Sequence, residues 1–195
     1  MPLNNSNIVS AAQTKFGALK GVTLREMFSE AVDKATVDAG VPKKDIQAAF
    51  IGSFIPEMLV HQGHTAPLLM DFAGMKGIPA TRHEDACASG ATALRAAVMA
   101  IESGMYDTVL VAGVEKMTSV STNMATEALA AAADDQFESS MGLTFPGVFG
   151  IAAVAHMQKY GTTEEDMARV AVKAHKNAST NPLAQFQKES HWRKQ

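Results

Sequence analysis

The sequence predicts an α/β fold with a mainly parallel, doubly wound sheet. Strand-like and helix-like segments alternate over residues 1–114 in the order βαβαβαβ, the pattern of parallel sheets joined by right-handed crossovers. In addition, residues 48–54 are almost continuously apolar, as expected of a strand that is covered on both faces. Together these two observations predict helices on both sides of the sheet.

The first elements follow from local sequence signals. Residues Asn7–Ala12 favour a short strand. Thr23 and Glu26 have the spacing of a capping box and predict the start of a helix, while Gly40 and Pro42 predict its end. Apolar side chains recur at helical spacing behind the cap: Leu24, Met27, Phe28, Ala31, Val32 and Ala35.

The next elements lead to an unusually apolar helix. A looser helix is expected near residues 66–75 and a short strand at Thr81–Asp85. The helix Ser89–Ser103 and the strand Thr108–Val114 follow. Because the Ser89–Ser103 helix has no broad polar face, we expect it to be buried between two layers. A two-layer domain would cover only one side of this helix.

The sequence changes character after Val114. We expect a core over residues 1–114, a covering segment of loops and helices of the same domain over 115–178, and a polar tail over 179–195 that ends before the architecture is complete. Such a long connection usually carries function or caps a site. Within it we expect four local features: a helical patch at Glu127–Asp134, a turn at Pro146-Gly147, a helix near Gly150–Lys159, and a helix capped by Thr162–Glu165 that carries Met167, Val170, Ala171 and Ala174 on one face.

Composition excludes several classes of protein. The formal net charge is −3 and there is one cysteine among 195 residues. A disulfide framework or a cysteine-based zinc site is therefore excluded, and a nucleic-acid partner is disfavoured because it requires a concentrated basic surface. No apolar run reaches the roughly 20 residues that span a bilayer. We expect a soluble, cytoplasmic protein without a membrane span.

Cys87 is the one residue with the potential for covalent chemistry. It stands between a predicted strand and the apolar helix, where backbone amides and the helix dipole favour a thiolate. Its small neighbours leave room for an acyl group, Ser89 can serve as the N-cap, and Gly90 can allow another backbone to approach. The alternative is an inert, buried thiol, since free cysteine is among the most buried residue types.

The helix dipole by itself is too weak to activate a thiol. An ordinary cysteine has a pKa of about 8.5 and is only a few per cent ionised at neutral pH. A helix terminus contributes about 0.3–1 kcal/mol, which is less than one pKa unit. Full activation therefore needs a second group, most simply an imidazole.

An ordered series of motifs covers nearly the whole chain up to about residue 189. It consists of Arg82–Gly90 around the cysteine, Gly104–Asp107, Gly113–Thr118, Gly142–Gly147 and His156–Thr163. This series resembles the thiolases, in particular the archaeal and sterol-carrier-protein types.

The resemblance implies a CoA-dependent acyltransferase. Thiolases are built from two similar halves stacked as a five-layer αβαβα sandwich, so this chain resembles the N-terminal βαβαβαβ half with a loop and helical insertion. Cys87 matches the nucleophile that carries the acyl group as a thioester, and its own N–H matches one oxyanion-hole donor. The substrates are then acyl-CoA and CoA, with no bound cofactor. The reaction is that of an acetyl-CoA acetyltransferase or a 3-ketoacyl-CoA thiolase.

The sequence departs from the family in what it lacks. In thiolases the second half contributes a Gly-His-Pro histidine that activates the nucleophile and a Cys-x-Gly cysteine that acts as acid and base. Cys87 is the only cysteine here and no histidine is followed by proline. We therefore expect poor catalysis by this chain alone, and either a homo-oligomer or a complementary thiolase C-terminal half as partner. The alternatives are a non-catalytic subunit or scaffold of a split complex, or a ketosynthase-like condensing enzyme, although Gly-Val-Glu-Lys-Met favours a thiolase.

Further residues are candidates for substrate contact. Methionine thioethers fill irregular spaces and could form an adaptable acyl wall, although methionine is more often core filler. His156 lies where the family's covering segment approaches the substrate, and a packing role is the alternative. With Ser89 and Gly90, the candidate substrate-binding residues are Met117, Met141, His156 and Met157.

Three other histidines are weaker candidates for a metal site or for activation of the thiol. His61 and His64 could share one helix face, but a turn or surface role is favoured over a metal site because no third ligand is near. His83 is close to Cys87 in sequence, but alternation along a strand does not direct it to the thiol.

Overall fold

The computed structural model describes residues 6–191, and its sheet is parallel, as the sequence predicts. The strands are β1 (Ala48–Gly52), β2 (Ala80–His83) and β3 (Val109–Gly113), in the order β2-β1-β3. On one side of β1, Gly52 pairs with His83, and on the other with Gly113. All three strands therefore end at one edge of the sheet.

Seven α-helices lie within the described residues, joined by short 3₁₀ turns. They are α1 (Leu24–Ala39), α2 (Pro56–Val60), α3 (Thr65–Phe72), α4 (Ser89–Glu102), α5 (Thr122–Ala130), α6 (Phe145–Tyr160) and α7 (Glu164–Ser179). The 3₁₀ turns are Lys43–Asp45, Ala86–Ala88, Met117–Ser119 and Ser139–Met141.

Helix α1 begins and ends where its signals predict. The Thr23 hydroxyl accepts the Glu26 N–H, and the Glu26 carboxylate accepts the Thr23 N–H at 2.6 Å, which completes the capping box. Gly40 adopts the left-handed conformation at the other end, with φ of 64°. These local signals depend on the backbone groups that every helix end leaves unpaired, which is why they are legible in the sequence.

The main core lies where α1 and α3 pack on the sheet. Phe28 of α1, Ile51 of β1 and Leu69 of α3 are almost fully buried and belong to one apolar cluster. Hydrophobic burial of this kind holds the sheet and the loops at its carboxyl edge in fixed positions.

The chain divides into two compact units. The first contains residues up to Thr14 and Lys20–Ala128, and includes the sheet. The second contains Lys15–Leu19 and the residues from Leu129 onward. In this second unit the Phe16 N–H donates to the Leu183 carbonyl, and the Thr144 and Thr163 hydroxyls cap α6 and α7. The final part of the predicted polar tail, residues 192–195, lies outside the described residues.

The predicted first strand is wrong. Residues Asn7–Ala12 are not a strand, and within residues 6–191 no backbone hydrogen bond joins them to another element. A strand-like sequence becomes a strand only when a neighbouring edge receives its N–H and C=O groups.

The expected all-round burial of α4 is also wrong for this chain. One face, with Ala93 and Ala97, is buried, and α4 packs on β1 and β3. On the other side Leu94 and Met99 are exposed. The sheet covers only one face of a helix, and the described residues supply no second layer over the remainder.

Boundaries in the second half differ from expectation in two places. Pro146 and Gly147 are not a turn, because Pro146 occupies the first turn of α6, where proline is tolerated. The predicted helical patch Glu127–Asp134 is shifted: α5 begins at Thr122 and ends at Ala130, so residues 131–134 are not helical. The predicted apolar face of α7 is exposed at Met167 and Val170.

Candidate active site

Cys87 lies in an exposed turn between β2 and α4. The 3₁₀ turn Ala86–Ala88 follows the carboxyl end of β2 and leads directly into the first residue of α4. The thiol is exposed, so the alternative of a buried, inert cysteine does not describe this structure. Among the described residues, no acceptor is hydrogen-bonded to the Cys87 N–H and no side chain is hydrogen-bonded to its thiol.

The hydroxyl of Ser89 fixes the shape of this turn. It accepts the Asp85 N–H at 2.9 Å and donates to the Ala86 carbonyl at 2.7 Å. Ser89 is 5% exposed, so these bonds are shielded from water. The prediction that Ser89 is the N-cap is wrong, since Ala88 occupies that position and Ser89 is the first helical residue. Instead of capping α4, the hydroxyl bonds to the preceding residues and holds the turn that carries Cys87.

Ala86 holds a conformation that is unfavourable for a residue with a side chain. Its φ is 43°, in the left-handed region. The Glu84 carboxylate accepts the Ala86 N–H at 2.7 Å, and the Ala88 N–H bonds to the Asp85 carbonyl at 2.7 Å. These hydrogen bonds, with those of Ser89, maintain a strained backbone immediately before the nucleophile candidate.

The start of α4 rests directly on the end of β1. A Cβ built on Gly52 would lie 2.7 Å from Gly90 N and 2.8 Å from the carbonyl carbon of Ser89. At Gly90 itself a Cβ would meet no atom within 4 Å. The close backbone approach predicted at Gly90 is present, but the residue that has to be glycine for it is Gly52. A glycine at the end of an apolar strand is a recognisable signal of such an approach.

Glu115, just after β3, supports the loop that follows β1. Its carboxylate accepts the Phe54 N–H at 2.6 Å, while its other oxygen, Oε1, is buried without a hydrogen-bond partner. Burial is the largest influence and raises the pKa of Glu115, opposed by hydrogen bonds from the Phe54 and Ile55 amides. Glu115 therefore holds the backbone at the carboxyl edge of the sheet, where open α/β sheets bind ligands.

Arg82 of β2 holds the same loop from the other side. Its guanidinium donates to the carbonyls of Ser53, at 3.0 Å, and Phe54, and to the Glu57 carboxylate. Burial works against the charged form of Glu57, but the hydrogen bond from Arg82 contributes to a lowered pKa for that carboxyl. Arg82 of β2 and Glu115 after β3 thereby hold the loop after β1 at the carboxyl edge, which is the ligand-binding edge of open α/β sheets.

The side chain of His83 contacts neighbours other than the thiol. Its Nε2 lies 3.0 Å from the Thr81 hydroxyl, and its ring is 5.7 Å from the Phe50 ring, centroid to centroid. No hydrogen bond joins His83 to Cys87 among the described residues.

The remaining candidate residues fall in both units. Met117 is partly exposed in the 3₁₀ turn that lies against α2, in the same unit as Cys87. Met141, His156 and Met157 belong to the second unit. There Met141 is exposed, and the His156 and Tyr160 rings lie 4.7 Å apart, one turn from each other on α6.

His61 and His64 lie in the turn between α2 and α3. Both have positive φ, 54° and 53°, and cap the adjoining helix ends rather than sharing one helix face. In residues 6–191 no group of three or more histidine, cysteine, aspartate or glutamate side chains is placed to hold a metal ion.

Comparisons with known proteins identify a single family. Residues 6–190 match the family model described as "Thiolase, N-terminal domain". The acetyl-CoA acetyltransferase of Methanothermobacter thermautotrophicus is 46% identical over 179 residues, which are 92% of this chain and 46% of that protein. Sterol carrier protein 2 of Bos taurus is 35% identical over 199 aligned residues, covering 96% of this chain and 36% of that protein.

A solved structure shows the same fold. The structure titled "Ltp2-ChsH2(DUF35) aldolase" matches with a TM-score of 0.71 and 25% identity, over 94% of this chain and 46% of that chain. The chain thus spans about half, or less, of the length of the relatives that it matches. No α-helix within the described part of the chain has the length and apolar character needed to cross a membrane.

Proposed function

The chain belongs to the thiolase N-terminal domain family, and from this premise we propose that it transfers acyl groups between CoA thioesters through a thioester on Cys87. The observation that carries the proposal is an exposed thiol in a turn that the Ser89 hydroxyl holds at the carboxyl edge of the sheet. The N–H of the same residue has no acceptor within residues 6–191. The archaeal relatives named acetyl-CoA acetyltransferase support this class of reaction.

The proposed first step exchanges one thioester for another. The Cys87 sulfur forms a bond to the carbonyl carbon of an acyl-CoA, the carbonyl becomes a tetrahedral oxyanion, and the carbon–sulfur bond to CoA then breaks. The proton that leaves Cys87 ends on the departing CoA thiol. In the second step an acceptor, either CoA or the α-carbon of a second acyl-CoA, takes the acyl group and regenerates the cysteine thiol. Such a covalent relay divides one difficult reaction into two easier ones.

The backbone N–H of Cys87 is the proposed donor to the oxyanion. It belongs to a turn whose other N–H groups are engaged, since the Ala86 and Ala88 amides bond to Glu84 and Asp85. A donor that is fixed before the reaction stabilises charge that develops in the transition state, which is usually a large part of catalysis. The strain at Ala86 is consistent with a turn that is held in shape for this purpose.

Activation of the thiol is proposed to come from a complementary thiolase C-terminal half. No base is hydrogen-bonded to the Cys87 thiol in residues 6–191, and a helix terminus alone is too weak an activator. The exposed apolar side chains of α4, including Leu94 and Met99, offer a surface for such a partner. A homo-oligomer of this chain would bring further copies of Cys87 but neither a Gly-His-Pro histidine nor a Cys-x-Gly cysteine. The proposed substrates are acyl-CoA and CoA, without a resident cofactor.

Part of the acyl-binding wall is assigned on weaker support. Met117 is the candidate that shares a unit with Cys87, and it is partly exposed on a turn near the same edge of the sheet. For Met141, His156 and Met157 we keep the substrate-contacting role as a proposal based on the motifs in which they occur.

Intact-mass spectrometry after incubation with acetyl-CoA tests the proposal. We expect a single acetyl adduct on the chain when the half of the Methanothermobacter relative that this chain does not match is added as a separate polypeptide. The adduct should be absent from Cys87→Ala and insensitive to Ser103→Ala, an exposed hydroxyl on the far end of α4. Absence of an adduct with and without the added half would contradict acyl transfer and favour a non-catalytic subunit.

A further inference from the structure

The turn that carries Cys87 rests on the end of β1 at both of its own ends. Where the chain enters the turn, the Ser53 N–H donates to the His83 carbonyl at 3.2 Å. Where the chain leaves the turn, the Gly90 nitrogen lies 2.7 Å from the position of a Cβ built on Gly52. A shift of this short stretch of backbone therefore displaces the turn as a whole.

Two successive peptide groups just after β1 are held from opposite sides. In the first, the Ser53 carbonyl accepts the Arg82 Nε–H at 3.0 Å, while the Phe54 N–H donates to the Glu115 carboxylate at 2.6 Å. In the second, the Phe54 carbonyl also accepts a hydrogen bond from Arg82, and the Ile55 amide also bonds to Glu115. A trans peptide directs its C=O and its N–H to opposite sides. A cation and a carboxylate thus fix the same stretch of backbone between them.

Arg82 connects this stretch to the strand that leads to the thiol. It lies in β2, immediately before His83, and its guanidinium has a third acceptor in the Glu57 carboxylate. The Arg82 side chain is 22% exposed, so these charge-assisted hydrogen bonds are largely shielded from water. A guanidinium presents five N–H donors in a rigid fork, whereas a lysine ammonium is a point charge. Arginine is therefore suited to hold two carbonyls and a carboxylate at once.

The direction of the Cys87 N–H depends on the placement of its turn. The amides on either side of it are engaged within the turn, the Ala86 N–H with Glu84 and the Ala88 N–H with Asp85. The Cys87 N–H itself has no acceptor in the described part of the chain. Its direction is therefore set by the backbone of the turn, and in catalytic sites a displacement of about 1 Å costs about a hundredfold in rate.

We propose that Arg82 is a positioning residue for acyl transfer at Cys87. By holding the loop after β1 against the end of β2, its guanidinium keeps the turn in the place where the Cys87 N–H points to the carbonyl oxygen of the acyl group. Glu115 holds the same two peptide groups from the other side. This inference rests on the proposed function for the reaction, and it adds a residue that acts on the oxyanion donor through the backbone.

Two reactions of the Cys87 thiol, compared in the chain itself, test the proposal. With S-phenyl thioacetate, the sulfur bonds to the carbonyl carbon, an oxyanion forms, and thiophenolate leaves. With iodoacetamide, the sulfur displaces iodide from a saturated carbon and no oxyanion forms. The thiol proton passes to the buffer in both reactions. The thioester rate constant divided by the alkylation rate constant therefore measures oxyanion stabilisation, because the thiolate fraction affects both reactions alike.

Arg82→Ala is expected to lower this ratio about tenfold or more. Arg82→Lys keeps the charge without the fork, and we expect a smaller decrease. The control is Arg95→Ala, which removes an exposed arginine of α4 and should leave the ratio unchanged. Intact-mass spectrometry follows both reactions, since Cys87 is the only cysteine. Circular dichroism shows whether each variant is folded, and if Arg82→Ala is not, Arg82→Lys decides.

The outcomes distinguish this proposal from the proposed function. An unchanged ratio in Arg82→Lys, or in a folded Arg82→Ala, overturns the positioning role. That outcome includes an equal decrease of both rate constants, which would assign Arg82 to the thiolate rather than to the donor. A lowered ratio without the adduct from acetyl-CoA supports the positioning role and contradicts acyl transfer from CoA thioesters, and an adduct with an unchanged ratio does the opposite.

Discussion

Gly52 and Gly90 bring the end of β1 and the first turn of α4 into direct backbone contact. A Cβ on Gly52 would lie 2.7 Å from the Gly90 nitrogen, a distance that real Cβ atoms essentially never show. Cys87 stands three residues before Gly90 along the chain, so the position of its turn above the sheet depends on this contact. The absence of a side chain at Gly52 therefore positions the candidate nucleophile.

Gly52→Ala tests this dependence. The three nearest atoms to the new methyl group all belong to backbone, so the start of α4 has to move. We expect a loss of about 1–3 kcal/mol in the free energy of unfolding. Gly113→Ala is the matched control, since Gly113 pairs with Gly52 in the sheet and its Cβ would meet only the Gly52 carbonyl at 3.7 Å. Urea denaturation of both variants measures the difference. Equal stabilities would show that α4 can shift without cost.

Ser89→Ala is expected to release the turn around Cys87. The substitution removes two partly buried hydrogen bonds, those to the Asp85 N–H and the Ala86 carbonyl, at about 0.5–1.5 kcal/mol each. The same change at Ser103, whose hydroxyl bonds only to the Ala100 carbonyl on an exposed surface, should cost less than about 0.5 kcal/mol. Chemical denaturation measures the stabilities of both variants. Equal losses for the two serines would contradict the role of the Ser89 hydroxyl in holding the turn.

Ala86→Gly is expected to stabilise the protein slightly. Removing the alanine side chain relieves about 1–2 kcal/mol of strain in the left-handed region. Glycine also makes the unfolded chain more flexible, which lowers stability by about 0.4–1 kcal/mol. We therefore expect a net gain of about 0.5–1 kcal/mol in the free energy of unfolding. Ala86→Val should lose stability, because a β-branched residue tolerates this φ poorly. A loss of stability on Ala86→Gly would argue that the backbone here is unstrained.

Glu115 should make stability fall as the pH rises above 4.5. Burial raises the pKa of Glu115 above its ordinary value of 4.5, so between 4.5 and the raised value the folded state binds more protons than the unfolded state. The unfolding free energy then decreases with pH in that window. In Glu115→Gln, which keeps an oxygen for the Phe54 N–H, this contribution is absent.

Urea titrations at pH 4, 5, 6 and 7 measure this effect as the stability of Glu115→Gln minus that of the unchanged protein. We expect the difference to become more positive as the pH rises. A matched series on Glu84→Gln, a carboxylate on an exposed residue of the Cys87 turn, controls for general charge effects. A difference that is constant with pH would show that Glu115 titrates normally.

The candidate site was only partly visible in the sequence. Cys87 is identified by its residue type and by its place between a strand and a helix, and both are local properties. The roles of Arg82 and Glu115 are not local, since they hold the backbone of residues 53–55, which lie far from them along the chain. Ser89 was assigned a capping role from helix rules, and the structure shows that its hydroxyl bonds within the preceding turn instead.

By itself, the sequence determined both ends of α1 and the cap of α7, the parallel order of elements and the single residue capable of covalent chemistry. Capping boxes, periodicity and the strand–cysteine–helix series act over a few residues, so they can be recognised without coordinates. Only the tertiary structure decided that the backbone of residues 7–12 pairs with no strand within residues 6–191, that α4 is covered on one face, and that Gly52 rather than Gly90 needs to be glycine. Each of these features depends on a distant segment that supplies a hydrogen-bonding edge, an apolar layer or a backbone in contact. No local pattern encodes a partner that lies elsewhere in the chain or outside it.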